Sequence, residues 1–383
     1  MVHVVPDLSR VQAAALATPR AFYAYTHKTS SKSATAVTVA FSVLNGAPVD
    51  DAALSRFAIL SSSIRMAGAL LDQPTSELHT DSFVDVAAEV AKETGGSLKV
   101  IKGTDLRDQG YGGLWGVGQA SVHLPALAIL SYVPEGVAVD APSICMVGKG
   151  IVYDTGGLSI KSKDGMPGMK KDMGGAAGIL GAWRSLALQG ALKQPLHALL
   201  CLAENSVSKE AQRPDDVVTL FSGKTVELNN TDAEGRLVLG DGVAHSVKFL
   251  NPQYIIDMAT LTGAAGIATG RNHSAIYCND EQLEATVVAA GKVTGDLAHP
   301  MPFAPEFYRQ EFASPVADMK NSVKDRANAQ PSCAGQFIGN HLGEFLTEGK
   351  WCHIDMGYPA SAAARGTGYG VALLEEVAKA LSK

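Results

Sequence analysis

Three charged side chains alternate along the run NTDAEGR at 230–236, and they are Asp232, Glu234 and Arg236. In an extended chain, alternate side chains point to the same side, so all three can face one site. In a helix, residues three or four apart share a face, and the two acids would diverge. Three charges on one side of a short segment need a partner, so the run predicts a bound metal cluster or an anionic ligand.

A second charged cluster lies upstream in the glycine-rich stretch 148–176, and its candidate members are Lys149, Asp154, Lys161 and Asp172. Together with the two acids of the first run, the chain offers four carboxylates, whose charge balances that of two divalent cations. Oxygen-rich ligands without histidine or thiolate suit zinc, manganese or magnesium. A lysine can ligate a metal only as a neutral amine, which a nearby cation favours.

The elements that must position these clusters alternate between strands and helices. Predicted strands cover 97–101, 125–133, 143–154, 195–203, 254–261 and 351–356, and a hairpin covers 217–229. Predicted helices cover 55–71, 82–94, about 175–188, 235–249, 282–293, 335–347 and 370–382. The polar stretch 28–35 is a predicted loop, and the glycines at 116–118 predict a turn. The alternation predicts an α/β sheet covered by helices on both faces.

Ligands of such sheets collect at the carboxyl ends of the strands. Asp154 ends the predicted strand 143–154, and Asp232 follows the predicted hairpin. The fold and the charge pattern therefore predict the same place for the site.

Composition limits the class of protein. The chain has 383 residues, of which 46% are hydrophobic and 18% charged, so a large core and two domains are expected. The net charge of -6 argues against non-specific nucleic-acid binding. Five scattered cysteines without CxxC spacing indicate reduced thiols. Without an apolar run of 18 residues or a signal-type N-terminus, we expect a cytoplasmic protein with no membrane span.

The amino-acid sequence of these segments resembles that of the leucyl aminopeptidase, or cytosol aminopeptidase, family. NTDAEGRL matches its signature, and VGKGIVYDTGGLSIK and MKKDMGGAA match its other metal-site segment in the same order and spacing. Further matches are AEN at 203–205, ATLTGA at 259–264 and RGTGYGVALL at 365–374. The resemblance runs from about residue 60 to the C-terminus and is greatest to the probable-aminopeptidase branch. It implies a mixed, largely parallel sheet covered by helices on both faces.

The resemblance implies a two-metal site built from Lys149, Asp154, Asp172, Asp232 and Glu234. Asp154 and Glu234 would bridge the two ions. Lys149 and Asp172 would complete the tighter site, and Asp232 the looser, exchangeable one. The ions would be zinc or manganese, with magnesium or cobalt as alternatives, and a water that bridges them would be the nucleophile.

The same resemblance implies roles for the remaining residues. Lys161 would polarise the scissile carbonyl and stabilise the oxyanion, and Arg236 would hold a bicarbonate ion that acts as general base. Met169, Thr260 and Gly263 match positions that line the pocket for the first side chain of the substrate. The implied activity removes leucine or another apolar residue from peptides with a free N-terminus, and the implied assembly is a homohexamer.

The chain departs from the family pattern in two places. Some 55–60 residues precede the match, where members of the family usually carry a larger N-terminal domain. We therefore expect a short, reduced N-terminal α/β domain or remnant at 1–55, a connecting helix at 56–71 and the catalytic domain at 72–383, or else a shortened chain. Asp215 stands where the common pattern has glycine, which alters a turn and no ligand.

Simpler interpretations apply to each cluster taken alone. Asp232, Glu234 and Arg236 could form a structural salt bridge at a helix N-terminus, and Lys149 between two glycines could be a solvated turn residue. Two other functions stay open. One is a scaffold or nucleic-acid-binding protein that keeps the fold, and the other is a two-metal phosphatase or nuclease. The complete set of charged residues favours the peptidase, and assays of DNA retention and of phosphodiester hydrolysis would separate the three.

Overall fold

The computed structural model describes residues 1–30 and 37–382 of the chain. The loop predicted over 28–35 is thus described only as far as Ser30, and the rest of it lies outside these ranges. The described chain folds around one large sheet, which a small strand–helix–strand unit precedes. That unit comprises β1 (Val2–Val5), α1 (Val11–Ala21) and β2 (Ala40–Val43), and its two strands pair in parallel.

The central sheet is mixed and largely parallel, as predicted. The strands that follow the first unit are β3 (Ser97–Lys102), β4 (Ala126–Tyr132), β5 (Ser143–Asp154), β6 (Leu196–Asn205), β7 (Val217–Thr219), β8 (Thr225–Glu227), β9 (Pro252–Ala259), β10 (Ser274–Cys278), β11 (Ala298–Pro300), β12 (Met319–Lys320), β13 (Lys350–Asp355), β14 (Ser361–Ala362) and β15 (Arg365–Gly366). Eight of them form the sheet, in the order β11-β10-β13-β9-β5-β6-β4-β3. Its inner pairs β13–β9, β9–β5 and β5–β6 are parallel, as is β10–β11 at one edge. The remaining pairs are antiparallel.

Helices cover both faces of this sheet. They are α2 (Asp51–Asp72), α3 (Thr80–Thr94), α4 (Thr104–Asp108), α5 (Gly112–Gly118), α6 (Gly174–Gln189), α7 (Gly235–Phe249), α8 (Ala265–Ala268), α9 (Glu281–Thr294), α10 (Pro305–Tyr308), α11 (Gln330–Gly339), α12 (Phe345–Glu348) and α13 (Val371–Leu381). Along β5, Ile144 and Met146 belong to the core cluster beneath α6, whereas Cys145 and Val147 belong to the cluster beneath α7. This alternation is the period of a strand buried on both sides.

α2 is the one helix of the described ranges that is long and apolar enough to cross a membrane, judged by length and composition alone. In this structure it packs along α6, and Leu60, Ile64 and Leu71 are buried in the main core. The helix begins at Asp51, a few residues earlier than predicted. Asp50 is its N-cap, because its carboxylate accepts a hydrogen bond from the Ala53 N–H at 2.7 Å.

Most predicted elements agree with the structure, and the clearest differences involve glycine. The predicted helix 335–347 is wrong in its bounds, because α11 begins at Gln330 and α12 follows only after Gly343, whose φ is +60°. The predicted turn at 116–118 is also wrong, since these residues end α5. The hairpin of β7 and β8 is present, and β12 adds an unpredicted third strand to it. Asp215 has a φ of +75°, a conformation that explains why glycine is common at that position.

Two glycines let helix N-termini approach the strands that carry the charged residues. At Gly175 in the first turn of α6, a Cβ would lie 2.0 Å from the carbonyl oxygen of Met258 in β9. At Gly235, the first residue of α7, a Cβ would lie 2.6 Å from the Cδ of Lys149 in β5. A larger residue at 175 would clash with the backbone of β9 and push α6 away, whereas one at 235 would displace the side chain of Lys149, so both glycines serve the close approach. The starts of α6 and α7 consequently meet the carboxyl ends of β9 and β5.

Candidate metal centre

One cleft of about 370 Å³ lies where these strand ends and helix starts meet. All ten residues singled out in the sequence line it, and they are Lys149, Asp154, Lys161, Met169, Asp172, Asp232, Glu234, Arg236, Thr260 and Gly263. The two charged clusters, which are distant in the sequence, therefore share one site. Further cleft residues that sequence reasoning did not single out include Lys171, Arg326, Tyr358 and Ser361.

Three acids form the centre of the site. Asp154, Asp172 and Glu234 are buried, and each offers a carboxylate oxygen within 4.8 Å of the others. Burial raises the pKa of the Asp172 carboxyl well above its ordinary value, and burial together with Asp154 raises the pKa of Glu234. Burial also raises the pKa of Asp232, against the opposing effect of the nearby Lys161. Such crowded acids stay ionised only if cations lie among them.

In this structure two lysines supply that positive charge. The Nζ of Lys149 lies 2.8 Å from a carboxylate oxygen of Asp172 and 2.8 Å from one of Glu234. The Nζ of Lys161 lies 2.7 Å from Asp154 Oδ2 and 2.5 Å from Asp232 Oδ1. Burial lowers the pKa of both lysines, but the surrounding carboxylates outweigh it and hold both values above the ordinary range. Each lysine thus ties one acid from the first segment to one from the second.

The loops that carry these acids are fixed by hydrogen bonds from uncharged donors. The Asn205 side-chain amide at the end of β6 donates to Asp154 Oδ1 at 2.8 Å and to the Thr231 carbonyl at 3.0 Å. The Thr231 hydroxyl donates to the Gly156 carbonyl at 2.7 Å and accepts from the Ser159 N–H at 2.8 Å. Neither AEN at 203–205 nor NTDAEGR by itself indicated a role for Asn205 or Thr231. Their position next to the predicted strand ends was the available signal.

Arg236 differs from the lysines because no carboxylate in the described ranges pairs with it. It is only 8% exposed, and among the described residues its guanidinium makes no ion pair and its Nε no hydrogen bond. Burial lowers its pKa to about 10, so the group remains a cation at neutral pH. A buried, unpaired guanidinium that lines a cleft is suited to binding an anion.

One wall of the cleft, in contact with the acids, is formed by the segment after β9. The Thr260 carbonyl accepts a hydrogen bond from Lys149 Nζ at 2.8 Å, and its hydroxyl donates to Asp172 Oδ1 at 2.9 Å. Met169 begins a 3-10 helix, Met169–Lys171, that leads into Asp172. Gly263 faces open space, because a Cβ built there would meet no atom within 4 Å. These three residues leave room beside the charged centre for a substrate group.

The donor set fits divalent cations. Four carboxylates and one lysine amine line the cleft together, and carboxylate oxygens are ligands that zinc, manganese and magnesium accept. Asp172 Oδ2 and Asp232 Oδ1 are buried without a hydrogen bond of normal geometry, although a lysine Nζ lies within ion-pair distance of each. Oxygens so placed keep a lone pair for another cation.

A second group of possible ligands lies elsewhere in the described chain and is less suited to a metal. It consists of His79, Asp81 and His123. The two imidazole rings stack with centroids 3.5 Å apart and planes inclined by 6°, so one ion cannot lie in both ring planes. Lys102 also forms an ion pair with Asp81.

Comparison with known proteins agrees with the geometry in indicating a metal-dependent aminopeptidase. Residues 65–375 match the model of the cytosol aminopeptidase family, catalytic domain. Over 376 residues the chain is 50% identical to Probable aminopeptidase NPEPL1 of Homo sapiens. The aligned residues are 97% of this chain and 71% of that protein.

Solved structures of aminopeptidases and of a related enzyme show that the similarity includes the fold. The leucine aminopeptidase LAP1 of Caenorhabditis elegans superposes with a TM-score of 0.93 at 42% identity, covering 100% of this chain and 77% of that one. The bottromycin maturation enzyme BotP, solved in complex with Mn, superposes with a TM-score of 0.87 at 29% identity, covering 100% of this chain and 84% of that one.

Proposed function

We propose a division of labour for the residues of this chain, which belongs to the cytosol aminopeptidase family. Membership makes it a metal-dependent exopeptidase, a hydrolase that removes N-terminal residues from peptides. The proposal depends above all on one observation: four carboxylates, two lysines and an unpaired arginine line a single cleft. In the proposed reaction, each of these groups has a separate part.

Two divalent ions are proposed to bind at Lys149, Asp154, Asp172, Asp232 and Glu234. Glu234 pairs with Lys149 and Asp154 pairs with Lys161, yet the two acids offer carboxylate oxygens within 4.8 Å of each other, so they are suited to be shared by both ions. Zinc or manganese is proposed, with magnesium or cobalt as alternatives, and the manganese in BotP supports a metal of this class. When bound, the pair of cations lowers the pKa of a water so that it can attack a carbonyl at neutral pH.

Lys161 is proposed to polarise the scissile carbonyl and to stabilise the oxyanion. Its side chain is 17% exposed, lines the cleft and carries its charge at neutral pH. A fixed cation beside a developing negative charge lowers the barrier because it needs no reorganisation during the reaction.

Arg236 is proposed to hold a bicarbonate ion that acts as general base. The acids of the cleft are assigned to metal, and of the described residues that line it none is a histidine. An anion held by the unpaired guanidinium would supply the missing base next to the reacting groups. The buried position of Arg236 supports a bound anion rather than a surface contact.

The substrate is proposed to be a peptide with a free amino group and an apolar first residue such as leucine. Met169, Thr260 and Gly263 all line the cleft, and a Cβ at Gly263 would meet no atom within 4 Å, which leaves space for such a side chain. Anchoring of the free amine would restrict cleavage to the first peptide bond.

The organisation of the chain is proposed as predicted: a small domain at 1–55, a connecting helix at 56–71 and a catalytic domain at 72–383. Val5, Val11 and Ala15 form an apolar cluster with Phe57 of the connecting helix, and this cluster is separate from the main core, which supports the division. A homohexamer in the cytoplasm is proposed from family membership, and the free, buried cysteines are compatible with a reducing compartment.

Metal removal tests the proposed function directly. A chelator should abolish hydrolysis of leucine anilide, and zinc or manganese should restore it, because the cleft then regains the ions that activate water. N-acetyl-leucine anilide, which lacks the free amine, is the control and should not be cleaved. Full activity of metal-free protein would refute the proposal, and cleavage of a phosphodiester in place of the anilide would support the nuclease alternative.

Lys161→Ala tests the oxyanion role. The substitution should lower kcat about 100- to 1,000-fold, because the charge that faces the carbonyl is lost. Metal content, measured by atomic absorption, should stay that of the unsubstituted protein. Lys163→Ala removes an exposed lysine of the same loop and serves as the matched control. Loss of activity only in proportion to loss of metal would contradict the role.

Arg236→Met tests the anion. In buffer freed of carbon dioxide, added bicarbonate should raise the rate of the unsubstituted enzyme and should not raise that of the variant. Its rate should fall about 100-fold or more, the usual contribution of a general base. Arg326→Met removes the exposed arginine of the same cleft and should keep the bicarbonate response. An undiminished response of Arg236→Met would exclude this residue as the anion site.

A further inference from the structure

Asp355 is a fully buried carboxylate at the end of β13, and its exposed fraction is 0%. It accepts hydrogen bonds from the Thr262 hydroxyl at 2.6 Å, from the Thr262 N–H at 3.1 Å and from the Leu261 N–H at 3.3 Å. It also accepts one from the Gly357 N–H at 3.1 Å. A charged acceptor with this many donors is a strong and geometrically selective anchor.

These bonds join two loops that form one wall of the cleft. β9 and β13 are parallel neighbours in which Ala259 and Asp355 are paired, so the segments 260–263 and 357–361 leave the sheet side by side. Leu261, Thr262 and Gly357 all line the cleft. The carboxylate therefore lies behind the wall and holds both of its segments.

The same wall touches the metal ligands. Thr260, directly before the anchored residues, accepts a hydrogen bond from Lys149 and donates one to Asp172. A shift of the 260–263 segment would move these contacts and the surface on which the substrate lies. The position of the wall thus depends on a residue that itself lies outside the cleft lining.

We propose that Asp355 is a positioning residue of the aminopeptidase reaction, which clamps the 260–263 and 357–361 segments in the arrangement that binds substrate. The inference rests on the proposed function for its link to catalysis. The clamp itself rests on the hydrogen bonds alone.

A matched residue separates a positioning role from a purely structural one. Asp257 lies on the adjacent strand β9, is also 0% exposed and also accepts hydrogen bonds. Its donors are Trp351 Nε1 at 2.7 Å and His353 Nδ1 at 2.5 Å, neither of which lines the cleft. Loss of its charge perturbs the sheet without releasing the wall.

The experiment compares Asp355→Asn with Asp257→Asn in the full, metal-loaded chain. The amide NH₂ of Asp355→Asn would face backbone N–H donors, so the wall should loosen. We expect kcat/KM for leucine anilide to fall about 10- to 100-fold at unchanged metal content. Hydrogen exchange of the 261–262 amides should become about tenfold faster. Asp257→Asn should leave kcat/KM and the exchange rates of these amides within about twofold of the values for the unsubstituted enzyme, whatever its effect on melting temperature.

Two further variants keep the proposal testable if Asp355→Asn fails to fold. Thr262→Val removes the shortest bond of the clamp and should lower kcat/KM and speed exchange in the same direction. Thr262→Ser retains the hydroxyl, so its kcat/KM should fall less than that of Thr262→Val. Equal losses for Val and Ser, or equal effects of Asp257→Asn and Asp355→Asn, would overturn the proposal. If the unsubstituted enzyme cleaved no peptide, the proposed function would fail, and the exchange rates would still support or refute the clamp.

Discussion

The crowding of four carboxylates in one cleft, three of them buried, is the constraint on which the rest of this structure depends. Asp154 and Glu234 are each only 2% exposed, and Asp172 only 9%. Acids so close together repel one another and lose the solvation of bulk water, so they stay ionised only beside cations. In the chain alone, Lys149 and Lys161 provide those cations. Divalent ions carry more charge on fewer atoms and compensate the acids more completely, which is the physical basis of the proposed metal site.

The fold holds the repelling groups in place from behind. Two parallel strands, β5 and β9, bring their carboxyl ends to the same edge, and glycines admit α6 and α7 to that edge. Asn205 and Thr231 then tie the loop after β5 to the run that carries Asp232 and Glu234. Behind the wall that contacts Lys149 and Asp172, Asp355 holds the segment after β9. Supporting residues outside the cleft lining, at strand ends and in an adjoining turn, thus help to set the positions of the functional groups.

Part of this arrangement could be predicted from the sequence because it depends on residues that are close together in the chain. The strand ending at Asp154, the helix 235–249 and the hairpin before Asp232 follow from apolar period and turn residues, and the structure has them. The supporting contacts could not be predicted, since Asn205 and Asp355 act on segments distant in the chain. The lack of a partner for Arg236 is likewise a property of the folded cleft. Glycine can lie within a helix or end one, and local pattern alone did not distinguish the two. A turn was predicted where α5 ends, and one continuous helix was predicted across Gly343.

The central claim is that these acids form a two-metal centre, and anomalous diffraction from crystals of the zinc- or manganese-loaded protein tests it most directly. We expect two peaks about 3.5–4 Å apart among Asp154, Asp172, Asp232 and Glu234. We also expect that Lys149 then no longer pairs with both Asp172 and Glu234. A map without metal peaks in this cleft, with both lysines still bridging the acids, would contradict a metal centre.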